Sequence, residues 1–402
     1  MTECRPVNIR LQPCISIIGR KECVVMTCKN GVVMDGQWHG EVGSGGYINI
    51  EIDDAGTFYQ GRASLYDDTA AFVVVCSFRT PDKSPKQKLT VFLDYQPVTK
   101  MSSIPIERLQ QDFPNADFPR EAELTLQYSS RGLTATARFQ AESGKQSTLR
   151  VRLPSSNIDK RSKVPTDKNV TNWSRFKAMV GKLPMDKYIF RGQPVQKKLR
   201  SSFHRTNRKD LFRYVDGDIP LLHRMLTPST RHYFDLSDDN QYAAFWNLLQ
   251  HHGFPTPLLD WSHSPYVAAY FAFRKRDQSS NPKHKVRIFM FDSEAWRRDF
   301  AQLNSVVNAR PHFSLLQPIA LENPRATPQQ ALSAITTVDD VEGYLQRLGR
   351  ARGNEYLRAF DLPYAERRAV LDELRLMGIT AGALFPGMDG VCEEMRMRLF
   401  ES

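Results

Sequence analysis

The stretch from His251 to Phe273, "HHGFPTPLLDWSHSPYVAAYFAF", gathers the residue types most capable of chemistry in this chain. Two adjacent histidines and a glycine lead into a proline-punctuated loop, and Asp260, Trp261 and Ser262 then precede an almost uncharged run. On an extended strand, residues two apart share a face, so Asp260 and Ser262 would point one way and Trp261 the other. That arrangement sets a carboxyl and a hydroxyl at the mouth of a pocket, with an aromatic ring in the wall behind. Both groups have a local alternative, capping the turn into the following helix. His251 and His252 end a helix, where neighbours point about 100° apart, so they share a metal poorly. Neither an HxxxH spacing nor partner cysteines accompany them, and no metal is expected. One histidine is expected to pack in the core. The other, assigned as His252, is expected to reach the pocket as a donor or general base, since imidazole titrates near neutrality.

A second candidate lies upstream at Arg191, which closes the apolar "YIF" of "KYIFRGQ". Arginine stays charged and is costly to bury unless its donors are filled. A phosphate or carboxylate fills them with two parallel hydrogen bonds. Gly192 beside it would let a ligand approach the backbone closely. The structural alternative is a salt bridge from Arg191 to Asp260.

These residues need elements to hold them. "KYIFRGQ" has the pattern of a strand ending in a turn, and "NQYAAFWNLLQHHG" has helical spacing with Gly253 suited to its C-terminal end. "SPYVAAYFAFRKR" is a helix with Ser264 as cap and Pro265 at its first position; its Tyr266, Ala269, Tyr270 and Phe273 belong to a core face. "NWSRFKAMVGKL" is a helix capped by Asn172, "KVRIFMFD" a buried strand, and "DIPLLHRML", "TTVDDVEGYLQRL" and "PYAERRAVLDELRLMGI" are helices. "LFPGMDG" suggests a strand running into a tight turn, and "VCEEMRMRLF" a closing helix.

The first 150 or so residues differ. "GYINIEIDDAGTFYQGRASLYD" alternates Ile48, Ile50 and Ile52 on one face and breaks at a hairpin signal. "AAFVVVCSF", "KLTVFLDYQPV", "AELTLQY", "LTATARFQAES" and "STLRVRLP" follow as short strands. The fold expected is therefore two-domain: an all-β sandwich or barrel over residues 1–153, a basic linker over 154–172, and an α+β domain over 173–402.

Composition bounds the function. With 402 residues, 41% hydrophobic and 25% charged, the chain is globular and long enough for more than one core. No apolar run approaches the roughly 20 residues that cross a bilayer, and the start lacks a signal-peptide pattern, so a cytoplasmic protein without membrane contact is expected. The six cysteines (Cys4, Cys14, Cys23, Cys28, Cys76 and Cys392) show no CxxC spacing and suggest reduced core residues. The net charge is +11, and the stretch from Ser155 to Val215 holds 16 Lys/Arg against Asp159, Asp167, Asp186 and Asp210, an excess of 12. Such a cluster suits nucleic acid or a phosphate-bearing ligand, although its first part equally suits a solvated linker.

The segments "YIFRGQ", "LRSSFHR", "AFWNLLQHHGFPTPLLDWSHSPYVAAYFA", "NPRATPQQ" and "LFPGMDG" occur in the order of the FRG domain, which this part of the chain resembles over roughly residues 170–402. The family's usual "QHHGLPTRLLDWT" is varied here at Phe254, Pro257 and Ser262, and its "RxxxQxG" becomes Arg325, Gln329 and Ala331. A further resemblance is to ADP-ribosyltransferases, with Arg191-Gly192, Asp260-Trp261-Ser262 and "SPYVAAYFA" in the places of the Arg-Gly strand end, the Ser-Thr-Ser-like element and the helix after it. The resemblance implies NAD as substrate. Arg191 would hold an NAD phosphate or ribose, Gly192 the nicotinamide amide, and Ser262 the nicotinamide ribose. Gln193, Trp261, Arg325 and Gln329 would complete the cofactor surface, with Asp260, Ser262 and His252 as the catalytic set. The glutamate such enzymes place against the ribose 2′-hydroxyl is missing: Glu322 lies three residues before Arg325, and Gln329 carries no charge. NAD binding, glycohydrolysis and a fold that binds without turnover all stay open.

The resemblance as a whole implies an effector of the bacterial-toxin or phage-defence kind. It would transfer ADP-ribose to a protein or nucleic acid held by the basic 155–215 stretch, with the N-terminal domain recognising a trigger. The alternatives are a nucleic-acid-binding module or nuclease, and a non-catalytic interaction module.

Overall fold

The computed structural model describes residues 33–400, apart from 44–45, 68–71, 99–101, 141–143, 156–159, 277–280, 282, 305 and 307–309. Residues 33–402 form one compact unit. Cys4, Cys14, Cys23 and Cys28, and the start of the expected β domain, lie outside the described residues.

The N-terminal region is β-rich. Its strands begin with β1 (Gly36–Val42), β2 (Gly46–Asp54), β3 (Tyr59–Asp67), β4 (Phe72–Arg79), β5 (Lys86–Phe92) and β6 (Asp94–Pro97). A short helix α1 (Ile106–Asp112) precedes β7 (Glu121–Ser129), β8 (Gly132–Gln140) and β9 (Gln146–Leu153). One antiparallel sheet has the order β1-β2-β3-β4-β6 and the other β5-β7-β8-β9. Their apolar faces share a core in which Ile48, Ile50 and Ile52 of β2 meet Leu124, Leu126 and Leu133 of β7 and β8. The stretch "KLTVFLDYQPV" is two strands rather than one: the chain passes from one sheet to the other at Leu93.

The alternate face of β2 is buried as well. Asn49, Glu51 and Asp53 are all covered, and Asp53 is completely so. What covers this face includes the C-terminal region. Asp53 accepts from Arg208 Nε at 3.0 Å and from the backbone N–H groups of Lys209 and Asp210. Gln37 donates to the Thr337 carbonyl at 2.6 Å and accepts from Asp339 N–H at 2.8 Å. Burial, with Asp210 nearby, pushes the Glu51 carboxyl up to about 8.

The C-terminal region mixes helices and strands. In chain order it runs through α2 (Trp173–Val180), β10 (Tyr188–Gln193), α3 (Leu211–Arg213), α4 (Ile219–Leu226) and α5 (Asp239–His251). Then come β11 (Leu258–Ser262), α6 (Pro265–Phe273), β12 (Lys285–Asp292), α7 (Ser293–Asp299), β13 (Phe313–Leu316) and β14 (Ala331–Thr336). The chain ends with α8 (Val341–Arg352), β15 (Leu357–Pro363), α9 (Arg367–Leu376), α10 (Ala381–Leu384) and α11 (Met388–Phe400). Six strands form one antiparallel sheet in the order β13-β14-β11-β10-β12-β15.

Both faces of this sheet are covered. Val286, Ile288 and Met290 of β12 join the core under α2, α6 and α9, while Phe289 and Phe291 join the one under α7 and α8. The period-2 alternation of the apolar 288–291 run, with Val286, thus feeds two cores at once. The expected caps form: Asn172 accepts from Arg175 N–H at 2.9 Å, and Ser264 from Val267 N–H at 3.2 Å.

The segment expected as a linker connects the two regions, and its latter part is packed. Val164 and Val170 are buried, and Ala359 of β15 donates to the Pro165 carbonyl at 3.0 Å. "LFPGMDG" is not a strand. Thr380 caps α10, and Gly387, at φ +113°, turns the chain into α11, a conformation costly for any other residue. Cys76 is buried with a free thiol, whereas Cys392 on α11 is exposed rather than in the core.

Candidate functional site

β10 and β11 are neighbours in the sheet but share a single paired position, Phe190 with Ser262. Beside that point the Arg191 side chain reaches across and its Nη1 donates to the Asp260 backbone carbonyl. A cavity of about 350 Å³ opens there, walled by β10, β11, the end of α5, the start of α6 and the 323–331 segment. Arg191, Gly192, Asp260, Trp261, Ser262, Arg325 and Gln329 all line it, so most of the residues singled out by sequence lie around one space.

Two of them do not. His252 is exposed and off the cavity wall, while His251 lines it. Helix phase forces the choice, because consecutive residues differ by about 100° and only one can face inward. The His251 imidazole is pushed down to about 4 by burial and by Arg325, so it is neutral at ordinary pH. Gln193 is also off the wall, its Oε1 buried and without a hydrogen-bond partner.

Arg191 is incompletely satisfied. Its Nε is buried with no partner, and the only side-chain hydrogen bond it makes among the described residues goes to a carbonyl. In place of the salt bridge to Asp260 that was the structural alternative, the side chain binds the backbone, which leaves the carboxylate free of the guanidinium's fork. Burial pulls the Arg191 pKa down, with Asp260 opposing and Arg205 adding to the fall.

The Asp260 carboxyl accepts from Gln250 Nε2, and Gln250 in turn accepts from the Thr256 hydroxyl. Asp260 meets solvent in the cavity but is walled in by protein. Burial raises its carboxyl above the ordinary aspartate range, against the pull of Arg191, Gln250 and Arg205. A carboxyl of raised pKa is a stronger proton acceptor when ionised.

Ser262 is engaged on both sides. Its hydroxyl donates to the Gln329 carbonyl at 2.7 Å and accepts from Ser264 N–H at 3.0 Å, tying the 323–330 loop to the start of α6. Gln329 Nε2 donates to the Leu384 carbonyl at 2.9 Å. Trp261 packs its ring into the core against Phe291, at 5.7 Å between centroids, so only its edge of the wall is open to a ligand. Arg325 lies 5.2 Å from the Phe385 ring centre, and no carboxylate pairs with it among the described residues.

Gly192 has a role other than ligand approach. A Cβ there would sit 1.8 Å from the Ala268 carbonyl oxygen and 2.7 Å from Ala272 N, so the missing side chain is what lets α6 lie against β10. Sequence reading did not single out Gln250, Asn247, Asn323 or Phe385, which complete the wall. All four stand inside quoted motifs, and for Gln250 a polar residue one turn before the Gly253 stop was the available signal.

Glu322 is not the missing glutamate. It is absent from the cavity wall, and its carboxylate accepts from His232 N–H at 2.6 Å. Among the described residues, no three His, Cys, Asp or Glu side chains are grouped to hold a metal, and no helix is long and apolar enough to cross a membrane.

Residues 186–281 match the family model of the FRG domain. The C-terminal half carries an FRG domain. The match contains β10, α5, β11 and α6, and hence Arg191, His251, Asp260 and Ser262. The remaining wall of the FRG cavity, from Asn323 to Ala331 and at Phe385, comes from beyond the matched residues. The chain has no significant match among curated proteins or solved structures.

Proposed function

We propose that the FRG cavity binds NAD and breaks its nicotinamide–ribose bond, passing ADP-ribose to an acceptor or to water. Two cationic groups, Arg191 with an unfilled buried donor and Arg325 without a carboxylate, suit the pyrophosphate. Asp260 supplies the one carboxyl on the wall. As the C–N bond breaks, its electron pair leaves on nicotinamide, and the ionised Asp260 stabilises the cation developing on the ribose. The acceptor oxygen then bonds to the ribose carbon and loses its proton, which Asp260 takes. The observation that carries this reading is one incompletely satisfied arginine beside one carboxyl of raised pKa in the wall of a single cavity. In this reading the two N-terminal sheets form a β-sandwich that recognises a trigger, and the whole is an effector of the toxin or phage-defence kind.

The basic 155–215 stretch gives less support to a nucleic-acid acceptor than its charge suggests. Lys177 pairs with Glu373, Lys187 with Asp292, Lys198 with Asp340, Arg200 with Asp339, and Arg208 with Asp53 and Asp218. Much of the excess is spent inside the fold. A second reading, an NAD-binding module without turnover, draws on Ser262, whose hydroxyl is already committed to two backbone groups.

Incubation of the purified chain with NAD, followed by measurement of nicotinamide release and of binding heat, separates these readings. Release that is lost in Asp260→Asn supports catalysis, and binding without release supports the second reading. Arg191→Ala is expected to weaken NAD binding by about 10- to 100-fold, the scale of a charged hydrogen-bond set. Neither heat nor release from the wild-type chain would sink both.

A further inference from the structure

A second cavity, of about 410 Å³, lies where the N-terminal sheets meet the C-terminal region. Its wall takes residues from β1, from the connection after β9, and from α8 and the turn before it. An occupant would therefore touch both halves of the compact unit.

Lys160, Arg161, Lys163, Lys198 and Arg347 line it, against the carboxylates of Asp340 and Glu342; five minus two leaves an excess of three positive charges. The carboxylates are already committed. Asp340 accepts from Gly343 N–H at 3.2 Å as the cap of α8 and pairs with Lys198 at 2.9 Å. Glu342 accepts from Leu199 N–H at 2.9 Å. Of the cations, Lys198 pairs with Asp340 and Arg161 lies 4.0 Å from Asp361 outside the wall, while Lys160 and Lys163 are exposed and make no ion pair among the described residues. Arg347 stands 5.6 Å from the Tyr344 ring centre and 5.7 Å from that of Tyr47, donates to His39 Nδ1 at 3.2 Å, and has no carboxylate partner among the described residues. Burial and Arg347 hold His39 neutral, its imidazole pushed down to about 4.

Uncompensated charge in a concave wall focuses potential on an anion, and guanidinium and ammonium groups together suit phosphate. The volume falls in the range that encloses a small molecule, whereas a nucleic-acid strand is tracked by an open groove. Tyr344, Val338 and Pro311 add an apolar stretch of wall. We propose that this junction cavity binds a small polyphosphate-bearing anion through Lys160, Lys163 and Arg347, and that its ligand bridges the β-rich and FRG regions.

The test uses the full chain, titrated calorimetrically with ATP and with inorganic tripolyphosphate at about 0.15 M salt, where loose surface attraction is screened. One site that depends on Lys160 and Lys163 and not on Arg191 is expected. Tighter binding of ATP identifies a nucleotide and tighter binding of tripolyphosphate an inorganic polyphosphate; either supports the site. The double variant Lys160→Glu/Lys163→Glu changes two exposed side chains, so its urea midpoint should match the wild type. It should bind at least about tenfold more weakly, the scale of lost charge-assisted contacts. Arg347→Gln should weaken binding too, while Arg191→Ala, in the other cavity, should leave it unchanged. Absence of binding by both probes would overturn the proposal. So would binding that survives the double variant or vanishes with Arg191→Ala. A single-stranded oligonucleotide that outcompetes ATP through the same lysines would also overturn it, by making this face a nucleic-acid surface.

Discussion

Asp53 in β2 is fully buried, whereas Asp260 in β11 opens to solvent in the cavity, and the fold satisfies them to very different degrees. Asp53 receives the Arg208 guanidinium and two backbone N–H groups, with Arg213 a further 3.7 Å away. Asp260 has a single amide donor on its carboxyl, and the arginine beside it binds its carbonyl instead. The first arrangement is a clasp, in which three donors on one carboxylate hold the N-terminal sheets on the 208–213 segment. The second leaves acceptor capacity and an arginine donor open into a cavity. Full satisfaction marks a structural carboxylate and partial satisfaction a group kept for a ligand, since a buried polar group left short of partners costs stability.

The largest test of this contrast is Asp53→Ala. It removes the acceptor from one guanidinium and two N–H groups that stay enclosed, and should cost about 3–5 kcal/mol, the scale of breaking a buried charged set. Urea unfolding of the full chain reads this directly. A loss below about 1 kcal/mol, the level of an exposed pair, would mean that the clasp holds nothing.

Gly192→Ala should come next. The added methyl group meets the Ala268 carbonyl, so α6 must move off β10, at a cost of about 1–3 kcal/mol for overpacking. Both strand and helix also wall the FRG cavity, so NAD binding should weaken alongside the urea midpoint. A variant with normal stability and altered binding would instead return Gly192 to the role of making room for a ligand.

The ease of reading differs between the same two regions. Around Asp260 the signals were local: a polar–aromatic–polar strand end, a serine cap and a proline at the first helical position, each decided by neighbours in sequence. Asp53 looked like part of a hairpin turn, because its partners are 155 to 157 residues away. The alternation of Ile48, Ile50 and Ile52 correctly gave one buried face, but the burial of Asn49, Glu51 and Asp53 depends on docking against a distant segment. The choice of His251 over His252 likewise follows from how α5 seats on the sheet, which helical spacing leaves open. The break at Leu93 between β5 and β6 carries no glycine or proline, so nothing marked it. "LFPGMDG" has a short apolar start that a strand and a helix end share.

The smallest effect expected is on stability in Asp260→Asn, and its sign is what matters. Burial raises the folded-state pKa of Asp260 above its unfolded value, so the folded chain holds the proton more tightly. Stability from this group is therefore complete below the ordinary aspartate value, roughly pH 3.9, and is lost as the pH rises through the folded value. An asparagine keeps the oxygen that accepts from Gln250 and cannot ionise, so the variant should be slightly more stable than the wild type at pH 7, with the gap closing toward low pH. Paired urea midpoints at pH 7 and pH 5 measure it. Asp53→Asn, which turns one acceptor oxygen into an amide donor facing donor groups, should be destabilised. If Asp260→Asn were less stable than the wild type at pH 7, or the gap did not change with pH, the two carboxylates would belong to one structural class. A stabilised variant that releases no nicotinamide would show that the carboxylate is retained against its cost to the fold, as expected of a group held for chemistry.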